Sequence, residues 1–350
     1  MRIALAALAA LAALTSLAGC ADLGYLSQSV GGHLELMRRA RPIAQWLADE
    51  HTPTDLRVHL QLAERLRTFA VSELKLPDNP SYTRYADLRR DAVVWNVVAA
   101  PELSLELKTW CFPMLGCVGY RGYFDRAQAD ALARQLRAEG WEVDVYGVPA
   151  YSTLGWTNWL GGDPLLSTFI RWPEADLARL VFHELAHQVA YASDDTMFNE
   201  SFATAVERLG QQRWRAAQGR TSDADAASEQ RRRDFRALAS RTREALDSLY
   251  RGPASDADKR QRKAEIFSAF RAELARLKAE AWGGYAGYDG FSNRANNAVL
   301  AVQAAYDQLV PQFDALFAHQ GGDLTRFYAE VKRLAALPKA ERRATLQAIH

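Results

Sequence analysis

Two histidines four residues apart, His183 and His187, constrain this chain more than any other feature. They stand in Val181-Phe182-His183-Glu184-Leu185-Ala186-His187-Gln188, inside a stretch with helical spacing of apolar residues. On a helix, positions i and i+4 lie on one face a turn apart, so both imidazoles can reach a single divalent cation. Glu184, next to the first of them, is placed to act on water instead of ligating the ion. A catalytic cation needs a third protein ligand and an open position. The following segment, Asn199-Glu200-Ser201-Phe202-Ala203, offers Glu200. The fold must therefore bring two helices together along one polar seam.

Other acidic residues compete for that role. Asp194 and Asp195 fall in the break between the two helices, where capping accounts for them. Glu207 lies seven residues after Glu200, on the same face two turns on. That position suits an acceptor for the second nitrogen of a ligand imidazole, and equally an ordinary surface charge. Asn199 is placed with Glu207 as a supporting residue. The two imidazoles and one carboxylate fit a single Zn²⁺, although the donor types alone leave other divalent metals open.

The local signals around the motif are clear. Pro173 suits a first helical position, and Glu174 with Asp176 complements the positive end of the helix dipole. The motif helix is predicted to run from Pro173 to about Ala192. Ser193 to Thr196 should break it and cap the next helix, which should end near Gly210 or a little later. Upstream, residues 25–76 read as helical, with Thr54-Asp55 as an N-cap and Pro77 to Pro80 as a turn. From residue 92 the period becomes that of strands: Val93 to Val98 is β-branched and aromatic, and 103–109 alternates apolar with polar, so the two are expected to pair. A helix from Asp125 to Glu139 stopping at Gly140, then a strand over Trp141 to Tyr146, should follow. Tyr151 to Gly155 and Ser167 to Arg171 are weaker strands.

At 350 residues, with 49% hydrophobic and 24% charged side chains, the chain can bury a substantial core. Lys and Arg number 43 against 42 Asp and Glu, so no global field points to nucleic acid. The start of the chain is different in kind. Arg2 precedes an apolar run from Ile3 to Leu14, too short to span a bilayer comfortably, then the small residues of a cleavage region. This reads as an export signal, with a plain anchor helix as the alternative. Leu17-Ala18-Gly19-Cys20 resembles a bacterial lipobox, which implies cleavage before Cys20 and lipid on its sulfur. Acyl chains would then hold the protein on a membrane leaflet, facing the periplasm or the exterior. Two cysteines remain, Cys111 and Cys117, and in an exported protein they are expected to form a local disulfide, with two buried thiols as the alternative.

The sequence divides into a signal over 1–19, a helical region over 20–90, a catalytic core over 91–210, a charged helical hairpin over 211–282 bent at Gly252-Pro253, and closing helices over 283–350. The fold class expected is α+β, mostly helical, with a small mixed sheet beside the motif helices. Arg231-Arg232-Arg233 reads as a solvated helix face.

His183 to Gln188, Asn199 to Ala203 and Glu207 together resemble the gluzincin peptidases, especially the aminopeptidase N type, which carry H-E-L-A-H-Q and N-E-G-F-A. The gap from His187 to Glu200 is shorter here, and no G-x-M-E-N loop occurs. The chain is more similar to a bacterial group of predicted aminopeptidases, often lipoproteins. That likeness also covers Gly31 to Leu36, Tyr120 to Phe124 and Asn296 to Ala298. The resemblance implies a zinc peptidase acting on peptides with Glu184 as general base, an aminopeptidase by its group. The alternatives are an envelope endopeptidase and a non-catalytic lipoprotein with a structural metal. Substrate is expected to pair with an edge strand at Tyr151, Ser152, Thr153 and Gly155. The oxyanion donor is sought among Tyr120, Tyr123, Tyr285 and Tyr288, with Tyr285 and Tyr288 preferred because their Gly-rich loop could fold over the cleft. His319 is a remoter candidate.

Overall fold

The computed structural model describes residues 25, 28–112, 116–150, 153, 158, 161–219 and 223–349. The signal region and Cys20 lie outside them, as do Tyr151, Ser152 and Gly155. The architecture is α+β and mostly helical, with three small sheets. No described helix is long and apolar enough to cross a membrane.

The chain opens with α1 (28–39), β1 (Arg41–Pro42), α2 (Ile43–Ala48) and α3 (Thr54–Ser72). Pro53 occupies the N-cap of α3 and Thr54 is already helical, so the expected Thr54-Asp55 cap is not used. Pro53 fixes the extended backbone that the cap position requires. Then come β2 (Arg84–Ala86), β3 (Val94–Pro101), β4 (Trp110–Phe112), β5 (Gly116–Val118) and β6 (Arg121–Tyr123). Cys111 and Cys117 face each other across β4 and β5 and are joined by a disulfide.

Next are α4 (Arg126–Ala138) and β7 (Trp141–Val148). Asp125 caps α4 by accepting from the Ala127 N–H, and Gly140 beyond its end takes a positive φ of 89° that suits glycine. β3 is the centre of an antiparallel sheet in the order β6-β3-β7. β7 fills one edge along its whole length and β6 fills the other only at Trp95–Val97, and the alternating segment 103–109, which lies along the remainder, forms no strand. Its Lys108 N–H donates to the Ala99 carbonyl at 2.8 Å, and Leu107 packs with Val98 and Ala100. Both faces of β3 are covered as well, so it reads as a nearly continuous apolar run. Val97 and Ala99 pack against Ala129, Ala133 and Leu136 of α4.

β8 (Leu165–Leu166) completes the second small sheet, and the expected strand at Ser167 to Arg171 is a series of turns. α5 (Glu174–His187) and α6 (Thr196–Ala217) follow. α5 ends five residues before the predicted Ala192, and Pro173 caps it from outside instead of starting it. α6 instead overruns Gly210 by two turns. Gly210 is a packing residue: a Cβ there would come within 2.6 Å of the Phe182 ring and 2.8 Å of Leu74. Its absence lets α6 lie close against α5.

The remainder is α7 (Asp223–Arg251) and α8 (Asp256–Glu280), which make the hairpin, then α9 (Asp289–Arg294), α10 (Asn297–Asp307), α11 (Val310–His319), α12 (Leu324–Ala335) and α13 (Lys339–Gln347). The main core joins Leu60, Phe69, Phe182, Phe202, Phe313 and Phe327 from five of these helices. A second cluster, around Phe235, Phe270 and Trp282, belongs to the hairpin. α10 covers the other face of β3, where Ala298 meets Val98 and Ala100.

Candidate metal centre

α5 and α6 pack along a seam whose polar residues alternate in sign. On α5, Arg179, His183 and His187 recur every four residues; on α6, Glu200 and Glu207 are seven apart. The contacts interleave the two series. His187 Nε2 lies 3.5 Å from Glu200 Oε2, and Glu200 Oε2 lies 3.1 Å from His183 Nε2. His183 Nδ1–H donates to Glu207 Oε2 at 3.0 Å, and the Arg179 guanidinium donates to Glu207 Oε1 at 2.7 and 3.1 Å. The resulting order is His187, Glu200, His183, Glu207, Arg179.

His183, His187 and Glu200 each turn one donor atom to a common point, all within 4.8 Å of one another. The two Nε2 atoms are 3.2 Å apart. A tetrahedral ion with bonds of about 2.0–2.1 Å holds its ligand atoms about 3.3–3.4 Å apart, so the three donors already stand at the edges of such a site. The electrostatics ask for a cation too. Burial alone would lower the His183 imidazole, but hydrogen bonds and charge from Glu200 and Glu207 raise it to about 10. Burial would raise the Glu200 carboxyl, yet the two imidazoles hold it far below the ordinary carboxylate range. Two desolvated carboxylates thus draw positive charge to this point, and a divalent ion satisfies them. Among the described residues His187 Nδ1 is buried with no hydrogen-bond partner, whereas His183 has its second nitrogen fixed by Glu207.

Glu184 is not one of the three grouped donors, but its carboxyl lies within range of their charges. Burial pushes its carboxyl up; His183 and His187 oppose this, and Glu200 and Asp163 reinforce it. A carboxylate raised in this way is a better proton acceptor than a solvated one.

Among the supporting residues, Glu207 is 6% exposed and fully engaged, not a surface charge. Asn199 does something else: its amide accepts from the Ala192 N–H and donates to the Ala192 carbonyl, both at 2.8 Å. It pins the turn after α5 to the start of α6, and so sets the depth of Glu200. Asp195 caps α6 through the Phe198 N–H and pairs with Arg342 and Arg343 of α13, while Asp194 pairs with Arg342 at 2.9 Å. Neither aspartate joins the donor cluster.

The tyrosines are distributed differently from the expectation. Tyr288 stacks on Phe235 with ring centroids 4.1 Å apart, and Tyr285 lies under the Arg231 guanidinium at 4.5 Å. Their loop folds onto the hairpin, and among the described residues no hydrogen bond or ring contact joins either to the donor cluster. Aromatic packing against Phe235 and Trp282 outweighs closure over the cleft. Tyr123 packs in the α4 face of the sheet. Tyr306, which no sequence motif marks, instead stacks on His183 with centroids 6.0 Å apart. Glu200 and burial raise its hydroxyl, and the same Glu200 charge reaches Tyr120, Tyr146 and Tyr191. Arg179 was equally unmarked, although its place four residues before His183 is a helical-face signal.

Thr153 is the one expected substrate residue within the described set. Its N–H and hydroxyl donate to the Asp163 carboxylate, the hydroxyl at 2.7 Å. Ser81 links Asp163 to Gln188, the residue after His187.

A family model described as "Putative aminopeptidase" matches residues 24–346. The chain belongs to this aminopeptidase family. No curated protein and no solved structure gave a significant match. Membership supports a peptidase-like activity, and the donor cluster lies well inside the matched region.

Proposed function

We propose that the protein is a zinc-dependent aminopeptidase, exported and held on a membrane by lipid at Cys20. The observation that carries the peptidase reading is the convergence of His183, His187 and Glu200 within 4.8 Å, with Glu184 beside them. One zinc ion held by those three residues would supply Lewis acidity, bringing the pKa of water towards about 7 and polarising a peptide carbonyl. Glu184 takes the proton from the attacking water and returns it to the departing amine, which is why a raised carboxyl is useful there. Glu207 holds the His183 ring by its Nδ1–H, and Arg179 keeps Glu207 ionised. A tyrosine hydroxyl within range of the Glu200 charge, that of Tyr120, would steady the oxyanion.

The test joins metal analysis to peptide cleavage. Purified protein should hold one zinc per chain, release the first residue of a free-amine peptide, and lose that activity on chelation until zinc is restored. A blocked N-terminus should abolish cleavage. Equal rates on blocked and free peptides would replace the aminopeptidase with an endopeptidase, and stoichiometric zinc without any hydrolysis would leave only a structural site.

A further inference from the structure

The residues around Glu200 also form a wall with a definite chemistry. Three tyrosines from three elements come to this side: Tyr120 between β5 and β6 and Tyr146 on β7 pack with Val302 of α10, and Tyr306 stands one turn beyond Val302. Strand alternation explains the first part of the arrangement. Asn96, Val98 and Ala100 share one face of β3, and Asn96 donates to the Tyr146 hydroxyl at 3.4 Å. Helical periodicity explains the second: Ala298, Val302 and Tyr306 follow one another at four-residue intervals on α10. Ala298 sits on Val98 and Ala100, Tyr120 and Tyr146 pack around them, and Tyr306 emerges at the His183 ring.

Val98, Ala100 and Ala298 are all buried, so behind the tyrosines the sheet and α10 close this side of the centre. A closed side receives a side chain and a chain end, not a continuing chain. Tyr306 is 38% exposed, which leaves its ring free to be covered by something else. Ring faces reward stacking and apolar contact. Among the described residues the cation near the wall, Arg294, is paired with Asp144, and Glu184 and Glu200 would repel an acidic group.

Resting on the aminopeptidase reading above, we propose that Tyr120, Tyr146 and Tyr306 form the wall that receives the first side chain of the substrate, selecting aromatic and large aliphatic N-terminal residues. Tyr306 is its outermost and most discriminating member.

The test uses full-length protein and aminoacyl arylamides of Phe, Leu, Ala, Lys and Glu. The Phe and Leu substrates should exceed Ala in kcat/KM by about tenfold, with Glu the poorest. Tyr306→Ala should erase that advantage, mainly through KM, while Tyr306→Phe should keep it because the ring and not the hydroxyl makes the contact. In parallel, calorimetry on Glu184→Gln protein should show phenylalanine amide binding about tenfold more tightly than alanine amide, and Tyr306→Ala in that background should level the two. Turnover without side-chain preference, a preference for Lys or Glu, or a Phe advantage that survives Tyr306→Ala overturns the wall and leaves the peptidase intact. Selective binding with no turnover of any arylamide overturns the peptidase and leaves the wall. Loss of both removes both.

Discussion

The α5–α6 pair and the α7–α8 hairpin are built from the same kind of sequence and use it in opposite ways. Both are helical pairs rich in Arg and Glu at helical spacing. On the outer face of the hairpin the charges lie in water and satisfy each other locally: Arg276 lies between Glu273 and Glu280. Exposed pairs like Arg276–Glu273 lie in water and are screened, so they contribute little. In the α5–α6 seam, His183, His187, Glu200 and Glu207 are largely removed from water. There each group depends on its neighbour across the seam, because an unpaired desolvated charge is costly. Direction relative to the core, not composition, separates a solvated scaffold from a reactive centre.

Substitutions can break that contrast. The largest effect is expected at Glu184: Glu184→Gln should lower turnover by about 10²–10⁴-fold, and zinc content measured by atomic absorption should stay at one per chain. Full activity in that variant would remove Glu184 from the chemistry.

Next is the seam beyond the donors. Glu207→Gln or Arg179→Ala should weaken zinc affinity by about 10–100-fold in competition with a chelator, because the His183 ring loses its fixed acceptor or that acceptor loses its partner. Unchanged zinc affinity in both would reduce Glu207 to a packing residue.

A third prediction concerns a buried pair outside the centre. Asp195 is held below its ordinary value of 3.8: burial works against this, and the Arg343 and Arg342 guanidinium groups and the Phe198 N–H outweigh it. A depressed carboxyl adds stability above its unfolded pKa and loses it as pH falls through the folded value. Stability should therefore decline in acid below about pH 4 in the wild type. Asp195→Ala should flatten that decline while costing about 1–3 kcal/mol at neutral pH, read by urea unfolding, since it removes the buried carboxylate that Arg342 and Arg343 share and leaves Arg342 only the half-exposed Asp194 and backbone carbonyls.

The smallest effect belongs to the hairpin surface. Arg276→Ala should leave the thermal midpoint and the zinc content where they were, and a clear drop in either would mean that the hairpin supports the centre through its surface charges.

Much of this was legible from local pattern. The helix start near Asp125, the stop at Gly140 and the bend at Gly252-Pro253 follow from backbone chemistry that acts within a few residues. The spacing of His183, His187, Glu200 and Glu207 on helix faces was equally readable, because helical period converts sequence distance directly into direction. The alternating segment 103–109 misled because alternation does not fix how far pairing extends: it lies along the part of the β3 edge that β6 leaves open, yet the Lys108 bond to Ala99 is not continued into a ladder. Tyr285 and Tyr288 misled similarly, since their loop lies against whichever aromatic surface is nearest in space.

The chain by itself determined which side chains each helix turns to one side, since period and capping are local properties. Only the tertiary structure decided what those sides meet: Arg179 closing the seam, Tyr306 coming to rest on His183, and small residues at Gly210 and Ala298 setting how near the helices lie. Desolvation and close approach arise between segments distant in sequence, and no local pattern encodes them.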